Sequence, residues 1–310
     1  MMKETLSADT PRVSVLMTIY NAAPFLREAI GSLIMQDFAD WELIAIENGS
    51  TDGSPSVLAS YTDSRIRTFP FTENIGRTPA LRYAFDHARG EYIAVLDADD
   101  LSHPERFLQQ VKLMDKHPEL ALVGSWAQYI DEKGKIFAEF KPPTVQKELL
   151  DCLGWTNPIV HSSVLYRRDL ARRVGGYPEH LVFAQDFGFV LSLAKHYKIG
   201  MISNFLCQLR VFPVRMTSSR KYQVVAAHER EMLLKIASEF LPLTEKSRRL
   251  NKRAASLAKA KLGVATLIAG DYILGLKLIL LGCLKSPSII WSNGIIFKFT
   301  GRDEFLLIKK

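Results

Sequence analysis

Through the first 125 residues, short β-branched and aliphatic runs alternate with stretches whose apolar positions recur every three or four residues. That rhythm predicts βαβ units around a largely parallel sheet, and so an α/β fold. Residues 13–18, 41–47, 65–69 and 92–96 read as strands, and 24–35, 55–61, 78–88 and 104–117 as helices. Pro24 suits a first helical turn, where its missing N–H is no loss. From residue 121 to 211 the pattern changes. Strands 120–129 and 136–140 flank Asp131-Glu132-Lys133-Gly134, which predicts an antiparallel hairpin. Residues 162–166 and 206–211 are further strands, with a helix over 185–196 between them. Beyond about residue 221, helices are expected over 222–240, 246–269 and 271–284, with a helical hairpin turn at Gly270-Asp271. Strand signals return only in the last few residues.

Composition narrows the class. The 310 residues are 47% hydrophobic and 24% charged, which excludes disordered, collagen-like and coiled-coil chains. Cys152, Cys207 and Cys283 are few, odd in number and far apart, so neither a disulfide framework nor a CxxC metal pair is expected. A reducing, cytoplasmic setting follows. The start, MMKETLSADTP, lacks the apolar core of a signal peptide. The greasiest region, 262–299, is interrupted by Asp271, Lys277, Lys285 and Pro287, so no bilayer span is expected.

The net charge of +7 is unevenly placed. Residues 1–200 hold 21 Lys/Arg against 26 Asp/Glu, whereas residues 201–310 hold 19 against 7. Lys246, Arg248, Arg249, Lys252, Arg253, Lys259 and Lys261 crowd one helical stretch, followed by an apolar run at 273–284. Basic plus amphipathic suits a helix lying peripherally on an anionic membrane surface. A hairpin packing on the rest of the chain, or on a second subunit, is the alternative. Aromatic residues are not interleaved with these charges, which argues against nucleic acid as a partner.

In an open α/β sheet, ligands collect beyond the carboxyl ends of the strands. Three such ends are polar here. The first reads Thr18-Ile19-Tyr20-Asn21, offering a hydroxyl, an aromatic face and an amide suited to capping the next helix. The second reads ENGSTDG, offering a carboxylate, an amide and several backbone N–H groups. The fourth reads Asp97-Ala98-Asp99-Asp100. Clustered carboxylates repel unless a cation or solvent relieves them, and Mg²⁺ or Mn²⁺ takes such oxygen ligands while sharing them with phosphates. A simple cap by Asp100 or Ser102 on the helix near Pro104 is the competing explanation.

Together these segments resemble the family 2 glycosyltransferases, with their glycosyltransferase-A fold, and in particular bacterial polysaccharide and O-antigen transferases. The resemblance covers roughly residues 13–219. VSVLMTIYNAAPFLREAIGSLIMQ is similar to the family's opening strand and helix, and ENGSTDGS to its nucleotide-binding loop, usually DDGSTDGS. ENIGRTPALRYAFDHARGEYIAVLDADD is similar to the passage into its metal-binding DxD.

The resemblance implies a glycosyltransferase-A catalytic domain over 1–220, with a mixed sheet flanked by helices, and a basic helical region over 221–310. It implies a metal-dependent, inverting transfer of one sugar from a UDP- or dTDP-sugar to a hydroxyl of a glycan or lipid-linked glycan. Thr18 and Tyr20 would meet the ribose and base, and Asn48 stands where the family usually has a uracil-contacting Asp. Glu47 replaces the customary first Asp and is assigned to positioning the loop. Arg77 is a candidate contact to base or phosphate, or a solvated surface Arg. Asp99 would bind Mn²⁺ or Mg²⁺, with Asp97 near the ribose or a metal-bound water.

Asp186, in Phe183-Ala184-Gln185-Asp186, matches the family's general base, with Gln185 where a Glu is usual; a first-turn acid favoured by the helix dipole is the alternative. Trp155, His161 and Gln185 fall on the acceptor and donor-sugar side. For Trp155 a half-buried core residue is the more frequent outcome, and His161 is equally a satisfied structural one. Phe212 occupies the place of a His that often follows Arg-x in relatives. The QxxRW motif and transmembrane helices of processive synthases are lacking, which favours single-sugar transfer. A non-catalytic nucleotide-sugar or glycan-binding relative, degenerate at Glu47, Asn48, Gln185 and Phe212, is the second reading; the retained Asp97, Asp99 and Asp186 favour the enzyme.

Overall fold

Strand β1 (Val13–Ile19) is buried along almost its whole length, and β2 (Trp41–Asn48) along all of it. Such continuous burial is what a parallel sheet covered on both faces requires. In the computed structural model, which describes residues 10–212, 220–268, 272–285 and 306–308, β1 runs parallel to β2 on one side. On its other side it runs parallel to β4 (Tyr92–Val95), and β3 (Ile66–Phe71) continues beyond β2, also parallel. The helices α1 (Ala23–Ile34), α2 (Ser54–Ala59) and α3 (Arg77–His87) supply the crossovers.

After β4 come β5 (Leu101–Ser102), α4 (Arg106–Lys116) and the hairpin of β6 (Leu120–Ile130) and β7 (Ile136–Phe140), which pairs antiparallel as its turn residues predict. Then follow α5 (Gln146–Leu153), a 3₁₀ turn over His161–Ser163, β8 (Leu165–Arg167), α6 (Arg168–Arg173), α7 (Gln185–Ala194) and β9 (Lys198–Arg210). The helices α8 (Arg220–Phe240), α9 (Glu245–Ile268) and α10 (Tyr272–Lys285) precede a short β10 (Leu306–Ile308). The sheet order is β10-β7-β6-β8-β4-β1-β2-β3, with β9 parallel to β6 and antiparallel to β5.

Period-two alternation divides the core. Val13, Val15, Met17 and Ile19 of β1 join Leu26, Ile30 and Leu33 of α1 and Phe107, Val111 and Met114 of α4 on one face. Leu16 points the other way, among Leu81 and Phe85 of α3, Phe189 and Leu193 of α7, and Leu233, Leu234 and Ala237 of α8. Thus α8, on the basic side of the charge division, contributes to the same apolar layer as the N-terminal sheet. Arg106 crosses the other layer fully buried, donating from Nη2 to the carbonyls of Val95 and Val164 at 3.0 and 2.9 Å and so holding the ends of β4 and β8 together. Burial pushes its guanidinium down to about 10, still charged at neutral pH.

Two expectations change. The strand expected over 162–166 is split, because Ser163 Oγ donates to the Val160 carbonyl at 2.8 Å and tightens His161–Ser163 into a 3₁₀ turn. The strand expected from 206 begins at Lys198, with a bulge where Ser203 and Asn204 fall between the paired positions Ile202 and Phe205. The short helices α5 and α6 were not anticipated. Residues 213–219, Gly270-Asp271 and Cys283's side chain, named in the sequence reading, lie outside the described residues.

Candidate active site

The carboxyl ends of β1 and β2 are laced together. Asn21 has a left-handed φ of 51°, and its Oδ1 accepts the Thr51 N–H at 2.8 Å. Ser50 Oγ accepts the Asn21 N–H at 3.1 Å, and Glu47 Oε1 accepts the Ser50 N–H at 2.7 Å, the loop-positioning part expected of it. Asn21 does not cap α1, contrary to expectation. The Ala23 N–H is accepted by Asp52 Oδ2 at 3.0 Å, from the neighbouring loop. Partial burial raises the Asp52 carboxyl, but hydrogen bonds from Ser54 and Ala23 outweigh it and hold it below the usual range. Tyr20, just beyond β1, is 44% exposed, and Thr18 near the end of β1 is half-buried.

Asn48, the last residue of β2, is buried. Its Oδ1 accepts the Ile75 N–H at 3.0 Å, and its Nδ2 donates to Asn74 Oδ1 at 3.2 Å and to the Gly76 carbonyl at 3.4 Å. Gly49 completes this crossing with φ 69°, where a Cβ would sit 2.4 Å from the Glu73 carbonyl carbon. Asn48 and Gly49 therefore hold the segment that delivers Arg77 to the start of α3.

Arg77 is not a solvated surface residue. Its Nη2 donates to Asp97 Oδ1 at 2.6 Å and lies 3.2 Å from His161 Nδ1. With the Gln185 amide oriented to satisfy both its ends, Arg77 Nε donates to Gln185 Oε1 at 3.0 Å. Burial works against the guanidinium charge, but Asp97, Asp186 and Asp99 more than offset it and raise its pKa. Because an Arg has no acceptor, His161 Nδ1 must accept, which places the ring proton on Nε2, donating to Tyr177 Oη at 3.0 Å. Burial first, and Arg77 second, lower the His161 pKa and keep the ring neutral.

Asp97, Asp99 and Asp100 follow β4 and bring one carboxylate oxygen each within 4.8 Å of one another. Neither Asp100 nor Ser102 caps α4. Asp100 instead accepts from Ser162 Oγ at 2.5 Å and from the Arg210 N–H at 2.9 Å. Burial, then repulsion from its neighbours, pushes Asp100 well up, and burial with Asp97 pushes Asp99 up to about 6. The Asp99 carboxylate accepts no hydrogen bond from another residue's side chain among the described residues. The group is all-oxygen, mutually repelling and has one uncommitted carboxylate, a set that fits a hard divalent cation. Arg210 donates from Nε to the Asp99 carbonyl at 3.1 Å and lies 4.7 Å over the Phe25 ring. Phe212 packs on that same ring, 5.1 Å between centroids, and supplies no ligand atom.

Asp186 is the second residue of α7, and Asn157 Nδ2 donates to its Oδ2 at 3.2 Å. Gln185 ties that turn to Arg77, and Arg77 ties it to Asp97. Trp155 lies half-buried two residues before Asn157. Thus Arg77, Asp97, Asp99, His161, Gln185 and Asp186 form one connected group, with Asn48 behind it. Asn74, Asn157, Ser162, Tyr177 and Arg210 also hold this site, and the sequence reading gave them no such part. Asn157 and Ser162 lie beside Trp155 and His161 in the chain, whereas nothing local marks Tyr177.

Comparison with known proteins bears on this arrangement. The family described as glycosyl transferase family 2 matches residues 14–175. A glycosyltransferase of Methanocaldococcus jannaschii is 34% identical over 209 residues, covering 66% of this chain and 72% of that protein. EpsE of Bacillus subtilis, also named a glycosyltransferase, is 33% identical over 170 residues, covering 54% of this chain and 60% of its own. Among solved structures, S. aureus TarS 1–349 in complex with UDP superposes with a TM-score of 0.64 at 17% identity, covering 96% of each chain. A mannosyltransferase from Pyrobaculum calidifontis in complex with GDP-mannose and Mn²⁺ superposes with a TM-score of 0.58 at 20% identity, covering 92% of this chain and 84% of that one. At these identities the likeness shows the fold, a glycosyltransferase-A sheet flanked by helices.

Proposed function

The chain belongs to glycosyl transferase family 2 and is a glycosyltransferase, and on that footing we propose that it moves one sugar, with inversion, from a UDP- or dTDP-sugar to a hydroxyl of a glycan or lipid-linked glycan. The observation that carries this reading is the path from Asp97 through Arg77 to Gln185. It joins a carboxylate group fit for a cation to the turn bearing Asp186.

In this reading Tyr20 stacks on the base and Thr18 meets the ribose. Asn48 Oδ1, which already accepts the Ile75 N–H, offers its second lone pair to the N3–H that uracil and thymine share. Asp99, with Asp97 close by, would hold Mn²⁺ or Mg²⁺, whose chemistry when bound is to neutralise the departing diphosphate. Arg77 adds a fixed positive charge on the same side. Trp155, His161 and Gln185 face the sugars, with His161 steadying Arg77.

Asp186 takes the acceptor hydroxyl's proton as that oxygen bonds to the anomeric carbon, while the bond to the diphosphate oxygen breaks and its electron pair leaves with the diphosphate. Asn157 holds Asp186 Oδ2 and leaves Oδ1 for the acceptor. Replacing Asp186 with Asn should abolish transfer, read as nucleotide release, while nucleotide affinity stays within about twofold. Substantial transfer by that variant would remove Asp186 from the mechanism.

Residues 1–220 form the catalytic domain in this reading, and the basic helices beyond them meet the acceptor's surroundings. Lys246 and Lys252 on α9 and Ile273, Lys277 and Leu280 on α10 are exposed, a mixture suited to the anionic inner face of a membrane. No helix among the described residues is long and apolar enough to cross one.

A further inference from the structure

Glu229 lies in α8, far along the chain from the carboxylates above, and is 4% exposed. Its Oε1 accepts the Val182 N–H at 2.7 Å, and its Oε2 accepts those of Phe183 and Ala184 at 2.9 and 2.8 Å. Three consecutive backbone N–H groups thus converge on one buried carboxylate. They belong to the residues immediately before Gln185 and Asp186. Ala184 is the N-cap position of α7 and has no side chain able to cap it. The start of a helix leaves N–H groups without intrahelical partners and carries partial positive charge, so a carboxylate brought from another helix answers both needs.

The remaining backbone groups of this turn are held as well. Thr78 Oγ1, next to Arg77, donates to the Leu181 carbonyl at 2.6 Å. Gln185 Nε2 donates to the carbonyls of Val182 and Phe183 at 3.2 and 3.1 Å. The turn is therefore clamped between α3, which carries Arg77, and α8, which carries Glu229. A clamp needed only for cohesion would be served by the apolar contacts that α8 already makes through Leu233 and Leu234. A buried charge directed at three N–H groups fixes backbone direction, which apolar packing does not.

We propose that Glu229 is a positioning residue that sets the direction of the Asp186 carboxylate, acting from the C-terminal helical region. This rests on Asp186 being the base. Glu229→Gln keeps the shape but turns an NH₂ toward N–H groups that need an acceptor. In the full-length protein, kcat for nucleotide release should fall about tenfold or more. The affinity for UDP with Mn²⁺, read by calorimetry, should stay within about twofold. Amide hydrogen exchange should quicken in the peptide spanning 181–187.

Should Glu229→Gln fail to fold, Glu229→Asp keeps the charge with shorter reach and should show the same split between kcat and nucleotide affinity to a smaller degree. Wild-type kcat with unchanged exchange would overturn the proposal. So would loss of kcat and UDP affinity in step. Full transfer by Asp186→Asn alone is a different result, which would remove the base assignment and leave the exchange measurement to report on the clamp.

Discussion

His161 shows how one buried ring records its neighbours. Arg77 donates to Nδ1, so the proton sits on Nε2 and meets Tyr177. Burial and the adjacent guanidinium lower its pKa below the ordinary 6.5. The unfolded chain therefore binds this proton more tightly than the folded one. Its contribution to stability is intact above the unfolded value and is lost as pH falls below about 6.5. His161→Gln should accordingly reduce the drop in melting temperature between pH 7 and pH 5, and an undiminished drop would contradict the assignment. At this scale the sequence revealed side chains whose chemistry is local. Asp97 and Asp99 stood out because acidic residues follow a buried strand, whereas Asp186 stood out only through the resemblance, a first-turn acid being its local reading. Asn21 was misread because the group that caps α1 comes from Asp52, on a different strand's loop. A partner supplied from elsewhere leaves no mark beside the residue it serves.

The same division holds for elements. β1, β2 and β4 were legible because strands covered on both faces read as unbroken apolar runs, and α1 and α4 because one face repeats at helical spacing. β9 was seen only in its last third, because Ser203 and Asn204 interrupt the apolar run at a bulge that the partner strand tolerates. Short helices such as α5 and α6, of 8 and 6 residues, span too few turns for a periodic signal. Gly49 is where element geometry reaches the site, since its positive φ and its closeness to Glu73 let β2 end beneath the segment leading to Arg77. Gly49→Ala meets both a strained conformation and a backbone clash, and should cost on the order of 2 kcal/mol or more. Chemical denaturation reads that loss directly, and a variant within a few tenths of a kcal/mol of the wild type would mean that this crossing is not tight.

For the whole molecule, the charge division along the chain does not coincide with a division of the core. The acidic first part holds the site, yet α8 of the basic part packs against the N-terminal sheet and reaches the turn before Asp186. The exposed basic and apolar positions of α9 and α10 should make the protein sediment with vesicles of anionic phospholipid at low salt and release it as salt rises. Equal sedimentation with neutral vesicles, or none at all, would exclude that surface. The proposed function requires a nucleoside-diphosphate site completed by a cation on Asp99. It is tested most directly by calorimetric titration of UDP, dTDP and GDP into the wild-type protein and Asp99→Ala, each with and without Mn²⁺. UDP or dTDP should bind the wild type tightly only when Mn²⁺ is present, and Asp99→Ala should lose this enhancement. Binding of no nucleotide by the wild type, or equal Mn²⁺-dependent binding by Asp99→Ala, would contradict it.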